Sequence, residues 1–178
     1  MTSILKVDNI KDSANNQAIS ISGGVVTFNN RYPQTALIAE TQSQNTAGGT
    51  FTQDVWQTRT LNTEISDLNN ICSLSSNIFT LSSGTYLIEW TAPAYNVERN
   101  QSRLYDTTTS AVTQYGSTNY SSSPVQNSSV GSAIVVISTN TGYKIEHQAE
   151  ATRASQGFGV EANMGTEVYT QVKITKIG

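Results

Sequence analysis

The chain has 178 residues, enough for one domain and an appendage, with 13% charged positions and a formal net charge of −3. Sparse charge with abundant Ser, Thr, Asn and Gln excludes a helical bundle, whose exposed faces favour Glu and Lys. The absence of a basic run excludes electrostatic nucleic-acid binding, and no apolar run approaches the ~18 residues of a membrane span.

Eight Tyr, four Phe and two Trp argue against disorder over most of the chain. The N-terminus lacks the apolar region of a signal peptide, so synthesis in a cytoplasm is expected. The three Asn-X-Ser sequons at Asn100, Asn119 and Asn127 then reflect composition rather than glycan attachment. The single cysteine, Cys72, excludes an intramolecular disulfide. It reads as a small core or rim residue, with a reactive thiol as the alternative.

Residues 1–30 differ from the rest. Two apolar islands, Ile4 to Val7 and Ala18 to Ile21, sit among small polar residues. Ile19 and Ile21 alternate with Ser20 and Ser22, Gly23-Gly24 turns the chain, and Val25 to Phe28 follows. Such short strands cannot hold a core of their own in water. They need the body of the domain, copies of themselves or a partner, so a short stalk or anchoring arm is expected over 1–30. A frayed terminus is the alternative.

The body, 31–178, begins with Pro33, which biases Tyr32 to an extended conformation. Gln34 to Glu40 is a predicted strand with Ala36 and Ile38 on one side, and Gln44 to Thr50 is a loop. Phe51 to Leu61 carries Trp56 and Arg59, and Trp56 reads as a core or interface aromatic. Ile65, Leu68 and Ile71 or Cys72 have helical spacing, which predicts a short helical turn or an irregular crossover. Leu74 to Leu81 is expected to pair with Thr85 to Thr91 through a Ser82-Ser83-Gly84 turn. Tyr86, Ile88 and Trp90 alternate with Leu87, Glu89 and Thr91, so one face is buried. Pro93, lacking an N–H, is expected to end this strand.

Arg103 to Asp106 and Ala111 to Tyr115 are predicted strands around a turn. Gly116 to Ser129, nearly all Ser, Thr, Asn and Tyr, is predicted to be an exposed loop. Val130 to Ser138 holds Ile134, Val135, Val136 and Ile137 in sequence and is expected to be buried on both faces, with another subunit as one candidate cover. Tyr143, Ile145 and His147 share one face of the next strand. Ala149 to Gly159 is a loop closing on Gly157-Phe158-Gly159, and the final strand places Val168, Thr170, Val172 and Ile174 together. Short strands at roughly 8–12-residue spacing predict an all-β antiparallel sandwich or jelly roll.

Catalytic chemistry is not indicated. His147 is the only histidine and reads as structural, and no nucleophile elbow, zincin motif or P-loop is present. Glu64 and Asp67 read as a solvated face rather than as glycosidase acids, and Asp106 alone is weak support for Ca²⁺. No enzyme activity, metal or cofactor is expected.

Phe79, Leu81, Gly84, Tyr86 and Trp90, in the pattern F-x-L-x-x-G-x-Y-x-x-x-W, with Tyr169 in the final strand, resemble the jelly-roll heads of the complement-component and tumour-necrosis-factor superfamily. Other pieces resemble the bacteriophage version of that head. These are Trp56-x-x-Arg59-x-Leu61-Asn62-Thr63, Ala92 to Tyr95, Arg103-Leu104-Tyr105, Glu146-His147, Gly157-Phe158-Gly159 and Glu167 to Thr170. Leu5 to Ile10 followed by Ile19-Ser20-Ile21 resembles the opening of phage virion structural proteins.

The resemblance implies a homotrimeric jelly roll displayed on a virion surface. The expected role is a capsid decoration or head-fibre protein, with a tail-fibre tip recognising a host surface glycan as the alternative. Expected partners are further copies of the chain, a major capsid protein or a tail adaptor or baseplate protein, and a host glycan, with no membrane insertion. Ile4, Leu5, Val7 and Ile10 are the candidate docking residues. Tyr115, Asn119 and Tyr120 are the candidate glycan contacts, because Tyr, Ser, Asn and Gly are the adaptable residues of binding loops.

Overall fold

The computed structural model describes residues 9–11, 17–22, 25–28 and 34–178. The chain separates into two compact units, Met1–Pro33 and Gln34–Gly178. In the first, β1 (Asn9–Lys11), β2 (Gln17–Ser22) and β3 (Val25–Phe28) form an antiparallel sheet in that order, with Ile10 opposite Ile19 and Ser22 opposite Val25. Ile4, Leu5 and Val7 lie outside the described residues. Ile10 is exposed.

The second unit comprises β4 (Gln34–Gln42), β5 (Gln57–Thr58), β6 (Thr63–Asp67), β7 (Cys72–Ser75), β8 (Ile78–Leu81), β9 (Gly84–Tyr95), β10 (Glu98–Asp106), β11 (Ala111–Ser121), β12 (Gln126–Ile137), β13 (Thr141–Ala149) and β14 (Glu167–Lys176). Among the described residues there is no helix. One antiparallel sheet runs β12-β9-β14-β4-β6. The other runs β11-β10-β13-β8-β7, with β5 also paired to β13. Apart from the consecutive pairs β7–β8 and β10–β11, most neighbours in each sheet are distant in sequence, as in a jelly roll.

The strand faces that alternate toward the interior form the core. Tyr86, Ile88 and Trp90 of β9, Ala36 and Ile38 of β4, and Val172 and Ile174 of β14 meet Phe79, Leu81, Leu104, Tyr143 and Ile145 of the opposite sheet. Each large side chain contributes roughly 1.5–3 kcal/mol by burial. The Trp90 indole also donates to Ser102 Oγ at 2.8 Å, so its polar edge is satisfied inside. Gly131, opposite Trp90 on β12, makes room for that indole: a Cβ there would lie 2.0 Å from Trp90 Cζ2.

Several sequence expectations are corrected. Over 62–72 the chain forms β6 and a turn that crosses to the other sheet, so the crossover is found and the helical turn is not, with Ile65 and Leu68 exposed. The Asp67 carboxylate accepts the Ile71 and Cys72 amides at 3.0 and 2.9 Å, which closes that turn without a helix. Leu74 to Leu81 is not one strand. It breaks at Ser76-Asn77, both at positive φ, into the β7–β8 hairpin, with Ser75 opposite Ile78. Ser82-Ser83 therefore carries the chain from one sheet to the other rather than closing a hairpin.

Pro93 does not end β9. Pairing with β14 stops at Thr91, and beyond it β9 pairs only with β12, so the missing N–H falls on an unpaired side. A bulge between Val168 and Gln171 turns Val168 outward and buries Tyr169 and Thr170 together. The stretch Gly116 to Ser129 is mostly strand. β11 runs through Ser121, β12 starts at Gln126, and polar side chains tie the two, as in Ser129 Oγ donating to the Ser117 carbonyl at 2.7 Å. Within its own chain Val130 to Ile137 is buried on one face only. Val135 and Ile137 point inward, whereas Val130, Ile134 and Val136 are 48, 68 and 83% exposed.

Candidate functional site

Three of the pieces behind the phage-like resemblance, at Pro93, Phe158 and Thr170, meet on one buried side chain. Arg59 is fully buried. Its Nε donates to Thr170 Oγ1 at 2.8 Å, Nη1 to the Pro93 carbonyl at 3.0 Å and Nη2 to the Phe158 carbonyl at 2.8 Å. The guanidinium lies 4.0 Å from the centre of the Phe158 ring. Phe158 packs on Phe51, and Phe51 meets His147 edge-on at 5.0 Å. The chain returns through Gly159, whose φ of 149° only glycine adopts freely and where a Cβ would strike the Tyr169 ring.

Glu40 faces Arg59 with Oε2 3.6 Å from Nη2. Neither Glu40 oxygen makes a hydrogen bond of good geometry. Burial raises the Glu40 pKa against the pull of Arg59, and burial lowers Arg59 to about 10. Burial, then the Arg59 charge, hold His147 well below its ordinary 6.5, so the ring is neutral. Its Nε2 lies 3.0 Å from Asn100 Oδ1, an acceptor, which places the proton on Nε2. This cluster is closed to solvent and fastens the segment Phe51–Arg59 and the loop at Gly157–Gly159 to the sandwich. His147 is thus structural. Among the described residues no group of three His, Cys, Asp or Glu side chains is placed to hold a metal.

The outward face of the five-stranded sheet is the first functional candidate. Ile134 sits opposite Leu87, and Val136 opposite Thr85. Toward the sheet centre Lys173 Nζ meets Glu89 Oε2 at 3.1 Å. A hollow of about 420 Å³ beside that pair is lined by Leu37, Thr91, Val130, Gly131 and Gln171 among others. Branched side chains around a shallow hollow on a β-sheet face are the kind of exposed apolar patch that marks an interaction surface.

The second candidate is a cleft of about 430 Å³ on the outward face of the six-stranded sheet. Asp54 and Trp56 form one wall, Thr118 and Asn119 of β11 another, and Arg99, Gln101, Gln148 and Glu150 also line it. Its frame is pinned by the Asp54 amide, which donates to the Ala149 carbonyl at 2.8 Å. Trp56 belongs to neither buried cluster and is half-buried. Arg103 lies 4.0 Å from its ring centre and also binds Glu146, with Nε to Oε2 at 2.7 Å. Lys144 meets the other Glu146 oxygen at 2.7 Å. Arg99 and Glu150 form a two-pronged ion pair.

The candidate glycan contacts thus stand on a strand, not a loop, and are only partly together. Asn119 lines the cleft. The Tyr115 ring is 6.1 Å from Trp56, beside it. Tyr120 is exposed and engaged with Glu98, which raises its pKa. Asp54, Trp56, Arg99, Gln148 and Glu150 are not legible as a set, because they come from three separate segments. Trp56 next to a polar Phe51–Thr58 segment was the one available signal.

No family model and no curated protein sequence matches this chain. Solved structures do. The globular domain of zebrafish complement 1qA protein is similar at 19% identity and a TM-score of 0.51, over 82% of this chain and 97% of that one. Murine APRIL is similar at 8% identity and 0.55, over 82% and 100%. The Eiger TNF of S. frugiperda is similar at 12% identity and 0.57, over 83% and 94%. The body of the chain has the jelly-roll fold of complement 1q and tumour-necrosis-factor domains.

Proposed function

We propose that this chain is a non-enzymatic structural protein of a bacteriophage particle, a homotrimeric decoration or head-fibre protein on the capsid surface anchored by residues 1–30. The observation that carries self-association is the uncovered branched face of β12, with Val130, Ile134 and Val136 pointing away from their own core. An edge strand of this length with three exposed β-branched residues is an association surface unless something covers it.

Sedimentation at micromolar concentration tests the assembly. Three copies are expected for the native chain, and a folded single subunit for the I134D/V136D double variant. A native chain that sediments as one subunit overturns the reading. A reconstruction of the particle tests location: protein found only at the tail overturns the capsid role. Removing residues 1–30 is expected to leave a folded trimer that no longer joins the particle. A second reading, a tail-fibre tip recognising a host glycan, is favoured by the polar cleft beside Trp56.

A further inference from the structure

We propose that the cleft between Trp56 and Asn119 binds a neutral sugar. A pyranose offers an apolar C–H face ringed by hydroxyls that donate and accept. Its recognition needs one aromatic surface and several planar polar groups, in a concavity of a few hundred Å³. The cleft holds each part. Trp56, with Arg103 stacked on one face of its ring, supplies the other face as the aromatic surface, Gln101, Gln148 and Asn119 the amides, Asp54 the carboxylate, and the volume is about 430 Å³.

The amides are not spent equally on the protein. Gln101 Nε2 donates to the Gly116 carbonyl at 2.9 Å, and Asn119 Oδ1 accepts the Tyr120 amide at 2.8 Å. Among the described residues, Asn119 Nδ2 and the whole Gln148 amide keep their hydrogen-bonding capacity for a ligand. Charge selects neutrality. Arg99 is already neutralised by Glu150, and Asp54 is balanced by the one excess cation of the Arg103–Lys144–Glu146 cluster beside Trp56, so no net charge draws a phosphate or an acidic sugar. The site lies within one chain, on the sheet opposite the self-association face.

The biological use of this site rests on the glycan-recognition reading, whereas binding itself is tested on the purified protein. The full chain is titrated with the methyl glycosides of glucose, galactose, mannose and N-acetylglucosamine, with sialic acid and inorganic phosphate alongside. The two indole N–H signals are followed by NMR. A saturable shift of the Trp56 signal, with Trp90 unmoved, is expected for at least one neutral glycoside, with a Kd on the order of 1 mM, as suits a single-sugar contact. Asn119→Ala with Gln148→Ala, which remove only the local bond from the Tyr120 amide to Asn119, should weaken it about tenfold or more. Trp56→Ala should abolish it.

Absence of saturation by every neutral glycoside, tighter binding of sialic acid or phosphate, or unchanged affinity in the Asn119/Gln148 variant overturns the proposal. A cleft that binds while its variants leave particle adsorption unchanged upholds the sugar site and overturns only the host-recognition reading.

Discussion

Replacing Arg59 tests whether the buried guanidinium is what fastens the loops to the sandwich. Arg59→Met keeps much of the volume and removes three charged hydrogen bonds, to Thr170, Pro93 and Phe158. Hydrogen bonds to a charged group are worth ~1.5–3 kcal/mol each, and the guanidinium's own desolvation offsets a large part of that sum. What remains is the cost of stranding Glu40 and two carbonyls in the interior, about 3–5 kcal/mol for one partner of a buried pair. Urea unfolding at fixed protein concentration is the assay, read as a lowered midpoint at constant slope.

Glu40→Leu combined with Arg59→Met should recover part of the loss, because the lone carboxylate is gone, yet the orphaned carbonyls keep the double variant below the native chain. The sign with pH follows. Burial raises the native Glu40 pKa, so its penalty is absent below the unfolded value and grows as pH rises. The deficit of Arg59→Met should therefore narrow on acidification. A loss under about 1 kcal/mol, or a double variant equal to the sum of the singles, refutes the reasoning.

Gly131→Ala drives a methyl into the Trp90 indole and should cost ~1–3 kcal/mol with a changed Trp90 fluorescence spectrum; native-like stability would mean the indole has room to move. His147 refuses a proton when folded, so as pH falls below its ordinary 6.5 the unfolded chain gains one that the native state does not. Stability should fall by at most ~1.4 kcal/mol per pH unit from this group, and His147→Gln should flatten that slope, as pH-dependent urea melts would record. Burial, with Asp67 and Glu64, pushes the Cys72 thiol up to about 12, so maleimide labelling at neutral pH should be slow in the native protein and fast in urea.

The alternating strands were readable because burial on one face leaves a period of two. Tyr86, Ile88 and Trp90 and, on β13, Tyr143, Ile145 and His147 all point inward. The central place of the final strand follows the same rule, with Val172 and Ile174 buried in β14. The failures share a cause. The run around Ile134 to Ile137 reads as doubly buried because periodicity cannot tell a strand covered by its own chain from one left uncovered at a sheet edge. The polar stretch after Gly116 reads as a loop because a strand held by side-chain hydrogen bonds and open to water has no apolar period.

The candidate sites divide along the same line. Asn119 was reachable as a polar contact residue, but its companions Trp56, Arg99 and Gln148 are joined only by the pairing of β5, β10, β11 and β13. Arg59 is visible as a motif residue and gives no sign in the sequence of being, among the described residues, the most deeply buried cation.

From the sequence alone came the all-β class, the antiparallel character and the inward faces, because these depend on local alternation and turn chemistry. The partner of each strand, the break at Ser76-Asn77, the enclosure of Arg59 and the cleft beside Trp56 came only with the tertiary structure. They depend on which distant segments lie side by side, and a strand's own residues carry no record of its neighbour's.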